Sequence, residues 1–204
     1  MGQYYNIVIV DLPASEKTTY KVYDRSVDTQ YTMAKLTEFS WFGNPFCDAL
    51  ANELLENPKV VIWCGDYAEN SDLEKIPYCQ YKYITVDKIW DRANYETIAK
   101  KEFDWSNKYI LNLSKFEFIN VNKYWNNSVI MIDKEPWVLN PIAILTAVGN
   151  GRGGGDYFGS DMEHVGRWAG DVIIISEKNP TELSATTYLE LDVTFKEKAY
   201  CECE

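Results

Sequence analysis

One glycine-rich stretch constrains the fold of this chain more than any other feature. Eight of its eleven glycines lie between Gly149 and Gly170. Glycine adopts positive φ without a Cβ clash but loses more conformational entropy on folding than other residues, so this density predicts a backbone path closed to other residues. The same window holds two of the four arginines, Arg152 and Arg167, and the single histidine, His164. A bound ligand, if the protein has one, is expected here.

Length, apolar content and charge limit the class of protein. A chain of 204 residues can bury one core, and we predict a single domain over residues 1–204. An apolar content of 46% and an aromatic content of 15% exclude a disordered chain. The net charge of −11 repels polyanions, so we expect no direct grip on nucleic acid, although mimicry of nucleic acid stays open. No apolar run of eighteen residues is present, and we expect no contact with a membrane.

The cysteines indicate neither a zinc site nor a disulfide framework. There are five of them without a CxxC pair, and a single histidine completes no common zinc site. The opening residues show no basic segment followed by an apolar run and a cleavage site. We therefore predict a reduced, cytoplasmic location and no structural zinc.

Local patterns predict an α+β fold. Runs rich in β-branched and aromatic residues predict strands over 4–10, 17–23, 33–40, 59–63, 80–86, 108–113, 115–121, 128–133, 172–175 and 188–195. Helices are predicted after Asn44-Pro45, with Asn44 as the N-cap, and from Asp87 to about Phe103. Asn140-Pro141 favours a helix over residues 142–148, and a strand fits them almost as well. The result is one domain with a mainly antiparallel sheet, two or three helices and a loose tail over 196–204.

Two matching tetrapeptides suggest where a site lies. Trp63-Cys-Gly-Asp66 ends a predicted strand and Trp168-Ala-Gly-Asp171 begins another. If these strands pair antiparallel, both tetrapeptides lie at one end of the sheet, beside Asp156. We therefore predict that the carboxylates of Asp66, Asp156 and Asp171 converge.

Four motifs resemble an uncharacterised family of small proteins that occurs widely in bacteria and phages, with relatives in some microbial eukaryotes. They are MGQYY at residues 1–5, WCGDYAE at 63–69, NGRGGGD at 150–156 and GRWAGD at 166–171. The segment from about residue 87 to 134 has no counterpart in the resemblance. Cys64 stands where the family more often has alanine, and Val172 where an arginine is common. The resemblance implies no function, but it implies the host-cell cytoplasm as the location if a phage encodes the chain.

The glycine-rich loop allows two interpretations. In the functional one, successive backbone N–H groups form a concave nest for an anion, and Arg152 clamps the same phosphate. In the structural one, the glycines make a corner, and Arg152 and Arg167 pair with Asp66, Asp156 or Asp171 as braces. The candidate ligand-binding residues are Asp66, Tyr67, Asn150, Arg152, Gly153, Gly154, Gly155, Asp156, Arg167, Trp168 and Asp171.

A metal-dependent hydrolase is the enzymatic alternative. Asp66, Asp156 and Asp171 would hold Mg²⁺ or Mn²⁺ through oxygen ligands, and His164 would act as a general base. Against it, aspartates beside arginines commonly neutralise one another, and one histidine beside Glu163 is commonly a surface residue. No catalytic residue and no cofactor is assigned.

The function we predict is that of a non-catalytic binding or inhibitor protein encoded by a phage or another mobile element. It would act through an acidic aromatic surface or through the glycine-rich loop, since tyrosine and tryptophan are frequent at the centres of interfaces. The expected partner is another protein, with a phosphorylated small molecule as the second choice. The alternative is a small enzyme or a sensor that binds a nucleotide or another phosphorylated ligand at the loop.

Overall fold

A computed structural model describes residues 2–12, 20–23, 35–38, 40–82, 84–91, 95–96, 101–132, 134–183 and 187–196. The strands are β1 (Tyr5–Asp11), β2 (Tyr20–Tyr23), β3 (Lys59–Gly65), β4 (Tyr95–Glu96), β5 (Tyr109–Asn112), β6 (Glu117–Asn120), β7 (Ile130–Ile132), β8 (Glu135–Trp137), β9 (Ala147–Val148), β10 (Val172–Ser176) and β11 (Leu189–Glu190). The helices are α1 (Pro45–Leu54), α2 (Asn70–Leu73), α3 (Pro77–Lys82), α4 (Val86–Trp90), α5 (Val121–Ser128), α6 (Pro141–Leu145) and α7 (Pro180–Leu183). A 3₁₀ turn covers Met162–His164.

The strands confirm the predicted α+β class. Nine of them form one sheet in the order β11-β6-β5-β10-β3-β1-β2-β4, with β9 paired to β3. The central neighbours from β6 to β2 all pair antiparallel, whereas β11, β4 and β9 pair parallel. Strands β7 and β8 form a separate ribbon. Two or three helices were predicted, and the described residues form seven. Only α1 and α5 of these reach eight residues, so the other helices are short.

Both faces of the central strand β3 are covered, which explains its uninterrupted apolar sequence. Val61 and Trp63 face the larger core cluster, which contains residues of α1 and α6. Ile62 and Cys64 face a smaller cluster that includes Leu73, from α2. The predicted strand over 59–63 is confirmed and runs on to Gly65.

Capping signals identified two helices. The Asn44 side chain accepts a hydrogen bond from the Phe46 backbone N–H (2.9 Å) and Pro45 opens α1, as predicted. Asn140 caps α6 in the same way, through the Ile142 N–H (3.0 Å). The alternatives for residues 142–148 both apply, because α6 ends at Leu145 and β9 follows at once.

The strand predicted over 80–86 is wrong, as is the long helix from Asp87. Residues Pro77–Lys82 form α3, because proline fits the first helical turn and Cys79 is buried in the smaller core. Thr85, not Asp87, caps α4, which ends at Trp90. Residues 101–104 are not helical.

Three further strand predictions need correction. Residues 36–38, inside the strand predicted over 33–40, form a turn that docks on the glycine-rich loop, with Thr37 N–H bonded to Gly155 O (3.3 Å). The strand over 188–195 shrinks to β11, because the chain leaves the sheet edge to bury Val193 and Phe195 in the core. The predicted meander stops after β6, since α5 intervenes and β7 pairs with β8. Residues 13–19, 33–34 and 197–204, including most of the predicted tail, lie outside the described residues.

Candidate functional site

The N-terminal motif and the glycine-rich loop pack against each other. Gln3 is fully buried, and its side-chain Nε2 donates to the carbonyl oxygen of Gly149 (3.0 Å). Its backbone N–H donates to Gly154 O (2.7 Å), and Gly2 forms a parallel β-bridge with Gly154. Two of the motifs that carry the family resemblance therefore form one structural unit.

The anion of the glycine nest is supplied by the chain itself. The backbone N–H groups of Gly151, Arg152 and Gly153 all donate to Oδ2 of Asp156, at 2.7, 2.7 and 2.9 Å. The Tyr5 hydroxyl donates to Oδ1 of the same carboxylate (2.6 Å). Asp156 is only 3% exposed. The concave nest thus forms as the loop sequence indicates, but a buried aspartate occupies it.

Neighbouring contacts close the loop further. The Asn150 side chain accepts from the Tyr157 N–H (2.8 Å) and donates to the Tyr157 carbonyl (3.0 Å). Burial, followed by the hydrogen bond to Asp156, raises the pKa of Tyr5, which keeps its hydroxyl protonated and able to donate. These contacts hold the loop in a closed corner of the fold.

Arg152 braces the loop against the start of α2. Its Nη1 donates to the carbonyl of Tyr67 (2.8 Å) and lies 2.7 Å from Oδ2 of Asp72. Asp72 also accepts from the Glu69 N–H (2.9 Å), so one carboxylate caps α2 and holds the arginine. Burial opposes ionisation of Asp72, but the bonds from Glu69 and Arg152 outweigh it and lower the pKa of Asp72. Arg152 is a brace, as the structural interpretation predicts, but the predicted partners are wrong, because its acid is Asp72 and not Asp66, Asp156 or Asp171.

Arg167 and Trp168 share a carboxylate that the sequence did not reveal. The guanidinium of Arg167 pairs with Glu117, with one bond from Nε at 3.2 Å. The indole Nε1 of Trp168, a fully buried side chain, donates to Glu117 Oε2 (2.7 Å). Glu117 begins β6 within a β-prone run of mixed polarity, and nothing in its neighbours along the chain indicates this contact.

The pKa of Glu117 leads to a pH prediction. Burial alone would raise it, but the bonds from Arg167 and Trp168 lower it below the ordinary 4.5. A carboxyl whose pKa is lower in the folded than in the unfolded state stabilises the protein at pH values above its unfolded-state pKa. That stabilisation is lost as the pH falls through the folded-state pKa. We expect Glu117→Gln to reduce the free energy of unfolding by about 1–2 kcal/mol at pH 7, and by less at pH 3. Denaturant titrations at both pH values measure the loss, with Glu182→Gln at an exposed position as the control. A difference in unfolding free energy between wild type and Glu117→Gln that does not change with pH would contradict the prediction.

The three aspartates of the metal hypothesis do not come together. Strands β3 and β10 pair antiparallel as predicted, but Asp171 O accepts from the N–H of Val61, five residues before Asp66. At ~3.3 Å per residue this register separates the two along the sheet by roughly 16 Å. Asp66 Oδ1 accepts from the Tyr4 N–H (3.0 Å), while Asp171 pairs with Lys115 and accepts from the Asn112 amide (2.7 Å).

His164 lies in a different acidic group. Within the described part of the chain, a metal-ligand geometry is met only by Asp161, Glu163 and His164, whose ligand atoms lie within 4.8 Å of one another. His164 Nδ1 is 3.6 Å from Glu163 Oε1. The group lies at a partly exposed 3₁₀ turn and does not include Asp66, Asp156 or Asp171.

A polar cleft of about 430 Å³ lies beside the closed loop. Its lining comes from α2, α3 and the turn between them, from β9, and from the turn that carries the GRWAGD motif. The lining residues are Asp72, Lys75, Ile76, Pro77, Lys115, Ala147, Val148, Gly149, Val165, Gly166, Arg167, Ala169 and Asp171. Of the predicted site residues, Arg167 and Asp171 line this cleft, and Arg152 reaches its wall through Asp72.

The charges of the cleft are not balanced. Asp72 is held by Arg152, and Asp171 by Lys115, whose Nζ also donates to Arg167 O (2.6 Å). Lys75 is 76% exposed and only loosely paired, with Nζ 3.6 Å from Asp72 Oδ1. Sequence reasoning missed Lys75 because it lies in a segment dominated by acidic residues.

Comparisons of the chain with protein families, curated proteins and solved structures found no match. The family resemblance therefore stays a prediction. None of the helices within the described ranges has the length and apolar character needed to cross a bilayer. Cys47, Cys64 and Cys79 are buried free thiols.

Proposed function

We propose that this protein is a non-catalytic binding protein whose ligand is a small acidic molecule, a carboxylate or a phosphate, held in the polar cleft. The observation that carries the proposal is the Lys75 ammonium, which opens onto the cleft with only a 3.6 Å contact to an acid that Arg152 already holds.

The ion pairs of the cleft indicate the sign of the ligand's charge. The cleft lining has three cationic side chains and two carboxylates in a chain of net charge −11. Behind the lining, Glu117 pairs with Arg167 and Arg152 pairs with Asp72, so one cation stays in excess. Both carboxylates already accept charged hydrogen bonds, so the remaining donor capacity belongs to Lys75 and to the half-exposed guanidinium of Arg167. A local excess of positive charge attracts an anion despite the negative net charge, because screening limits distant charges to roughly 10 Å.

The size and the apolar part of the cleft fit a small molecule. Its volume of about 430 Å³ lies in the range typical of ligand pockets. Ile76, Pro77, Val148 and Val165 contribute apolar surface beside the charges. The ligand we propose therefore carries a hydrocarbon or ring portion as well as its acidic group.

Binding without catalysis agrees best with the titratable groups of the cleft. A general acid or base needs a pKa near the working pH. Hydrogen bonds from Glu69 and Arg152 instead lower the pKa of Asp72, which keeps it ionised and a weak base. Asp171 is tied to Lys115, and the cleft lining contains no histidine.

A protein partner is the second candidate. One observation favours it: on the β7–β8 ribbon, outside the main sheet, Met131 is 65% exposed and Ile132 is 46% exposed. Because successive side chains of a strand point to opposite faces, each face of this ribbon exposes one large apolar side chain, which a partner could cover. Such a partner would be lost on Met131→Ser with Ile132→Ser, whereas Lys75→Gln would leave it bound.

The anion proposal is tested by thermal melts of the full chain with inorganic phosphate, pyrophosphate, succinate and Mg²⁺. At about 100 times the Kd, a bound anion is expected to raise the Tm by about 5 °C or more. Lys75→Gln should remove most of this shift without lowering the baseline Tm, because its side chain is exposed. The matched control is Lys178→Gln, an exposed lysine outside the cleft. An equal shift in both variants, or a shift with Mg²⁺ alone, would overturn the proposal.

A further inference from the structure

A second cavity of about 430 Å³ lies on a different part of the surface and has aromatic walls. The rings of Phe42 and Trp105 meet at 80° with centroids 4.6 Å apart, and the Trp125 ring lies 5.5 Å from that of Phe42. Phe42 and Trp105 are almost buried and form the floor, while Trp125 is half-exposed at the rim. Asp104 is the one charged residue that lines this cavity among the described residues.

We propose that this aromatic pocket binds an alkylated ammonium group. Aromatic faces attract cations through the quadrupole of the ring, and clustered rings are the usual site for quaternary ammonium ions. A carboxylate at the rim adds the complementary charge. An alkylated ammonium fits because its methyl groups satisfy the apolar walls, whereas a metal ion or a bare ammonium would lose its hydration there.

Asp104 is held in the ionised form at the pocket rim. Its Oδ1 accepts from the Ser106 hydroxyl (2.6 Å) and from the Ser106 backbone N–H (2.9 Å). These two bonds lower the pKa of the exposed Asp104 carboxyl. Oδ1 accepts both hydrogen bonds, so Oδ2 is able to face a bound cation.

A buried acid behind the pocket strengthens the aromatic floor. The indole Nε1 of Trp105 donates to Oδ1 of Asp48 (2.7 Å), and Asp48 Oδ2 accepts from the Phe103 N–H (3.3 Å). An indole that donates to a carboxylate carries more electron density on its ring, which favours a cation on its face. A cation already lies beside a neighbouring ring, since the Lys108 ammonium is 5.9 Å from the centroid of Phe103, whose ring packs against Trp105.

The charge of the ligand is isolated by comparing choline with 3,3-dimethyl-1-butanol, in which carbon replaces the charged nitrogen. Titrations of the full chain, followed by calorimetry, are expected to show choline binding roughly threefold to thirtyfold more tightly than the alcohol. Equal affinities for the two, or no binding of choline, would overturn the proposal.

The rings and the acid are tested by substitution. Trp125→Leu keeps an apolar wall but removes a ring face, so choline affinity should fall toward that of the alcohol while alcohol binding stays unchanged. Trp137→Leu, in the separate Trp41–Trp137 pair, is the matched control and should bind choline like the wild type. Asp104→Asn, at an exposed position, provides the same test without risk to the fold. Unchanged choline affinity in both Trp125→Leu and Asp104→Asn would contradict the assignment.

The source of the ammonium is distinguished by a peptide that contains trimethyllysine and its unmodified lysine counterpart. Tighter binding of the trimethyllysine peptide than of choline assigns the site to a modified protein. Choline that binds as tightly as the peptide assigns it to a free small molecule. Affinity of both at or below that of the uncharged alcohol overturns the inference.

Discussion

Replacing Asp156 with alanine is expected to lower the free energy of unfolding by about 3–5 kcal/mol. The substitution leaves the N–H groups of Gly151, Arg152 and Gly153 and the hydroxyl of Tyr5 without their acceptor in a closed corner. A donor without a partner costs about 1–3 kcal/mol where it is buried, and less at Gly151 and Arg152, which are exposed and which water can reach. For a chain of this length the loss corresponds to a fall in Tm of roughly 10 °C or more.

Graded variants make the Asp156 prediction specific. Tyr5→Phe removes one of the four donors and should cost about 1 kcal/mol. Asp156→Asn keeps one acceptor oxygen but loses the charge, so its effect should lie between those of Tyr5→Phe and Asp156→Ala. Denaturant unfolding of the three variants measures the order. A loss below about 1 kcal/mol for Asp156→Ala would mean that the carboxylate does not hold the loop.

Gly149→Ala is expected to destabilise the protein by a similar amount, about 3–5 kcal/mol. Gly149 has φ +89°, and a Cβ added there would lie 2.8–3.0 Å from the side chain and backbone of Ala68. The close approach joins the loop to the segment that follows β3, and it helps to shape the cleft that Gly149 lines.

Gly151→Ala is the control for Gly149→Ala. Gly151 has almost the same backbone angle, φ +95°, but no atom lies within 4 Å of an added Cβ. It should therefore cost only the left-handed backbone strain of about 1–2 kcal/mol. The difference in unfolding free energy between the two variants measures the contact with Ala68, and equal losses would show that backbone strain alone requires these glycines.

The sequence predicted those parts of the fold whose signals are local. Asn44 and Pro45 specify the start of α1 because both act within one helical turn, and the apolar run of β3 needs only burial on both faces. The strand prediction for residues 80–86 used the alternation of apolar and polar residues along the chain. It failed because the short helix that begins at Pro77 is stabilised by packing in the smaller core, which that alternation does not indicate.

The candidate site was predicted in part, for the same reason. The arginines, the loop and its nest follow from local sequence, and Arg152 and Arg167 are braces. Their acids, Asp72 and Glu117, lie 80 and 50 residues away along the chain (152 minus 72, 167 minus 117), and only tertiary structure pairs them. The predicted convergence of Asp66, Asp156 and Asp171 failed on strand register, since antiparallel pairing alone does not set which residues face each other.

A titration of the ¹⁵N-labelled full chain with pyrophosphate, followed by amide chemical shifts, shows where on the protein the anion binds. Our proposal is that the glycine-rich loop is closed on Asp156 and that the adjoining cleft binds the anion. It predicts that the amides of Ile76, Val148 and Arg167 shift on binding while those of residues 151–153 stay in place. The largest shifts at residues 151–153 would contradict it, because the nest would then exchange Asp156 for the ligand.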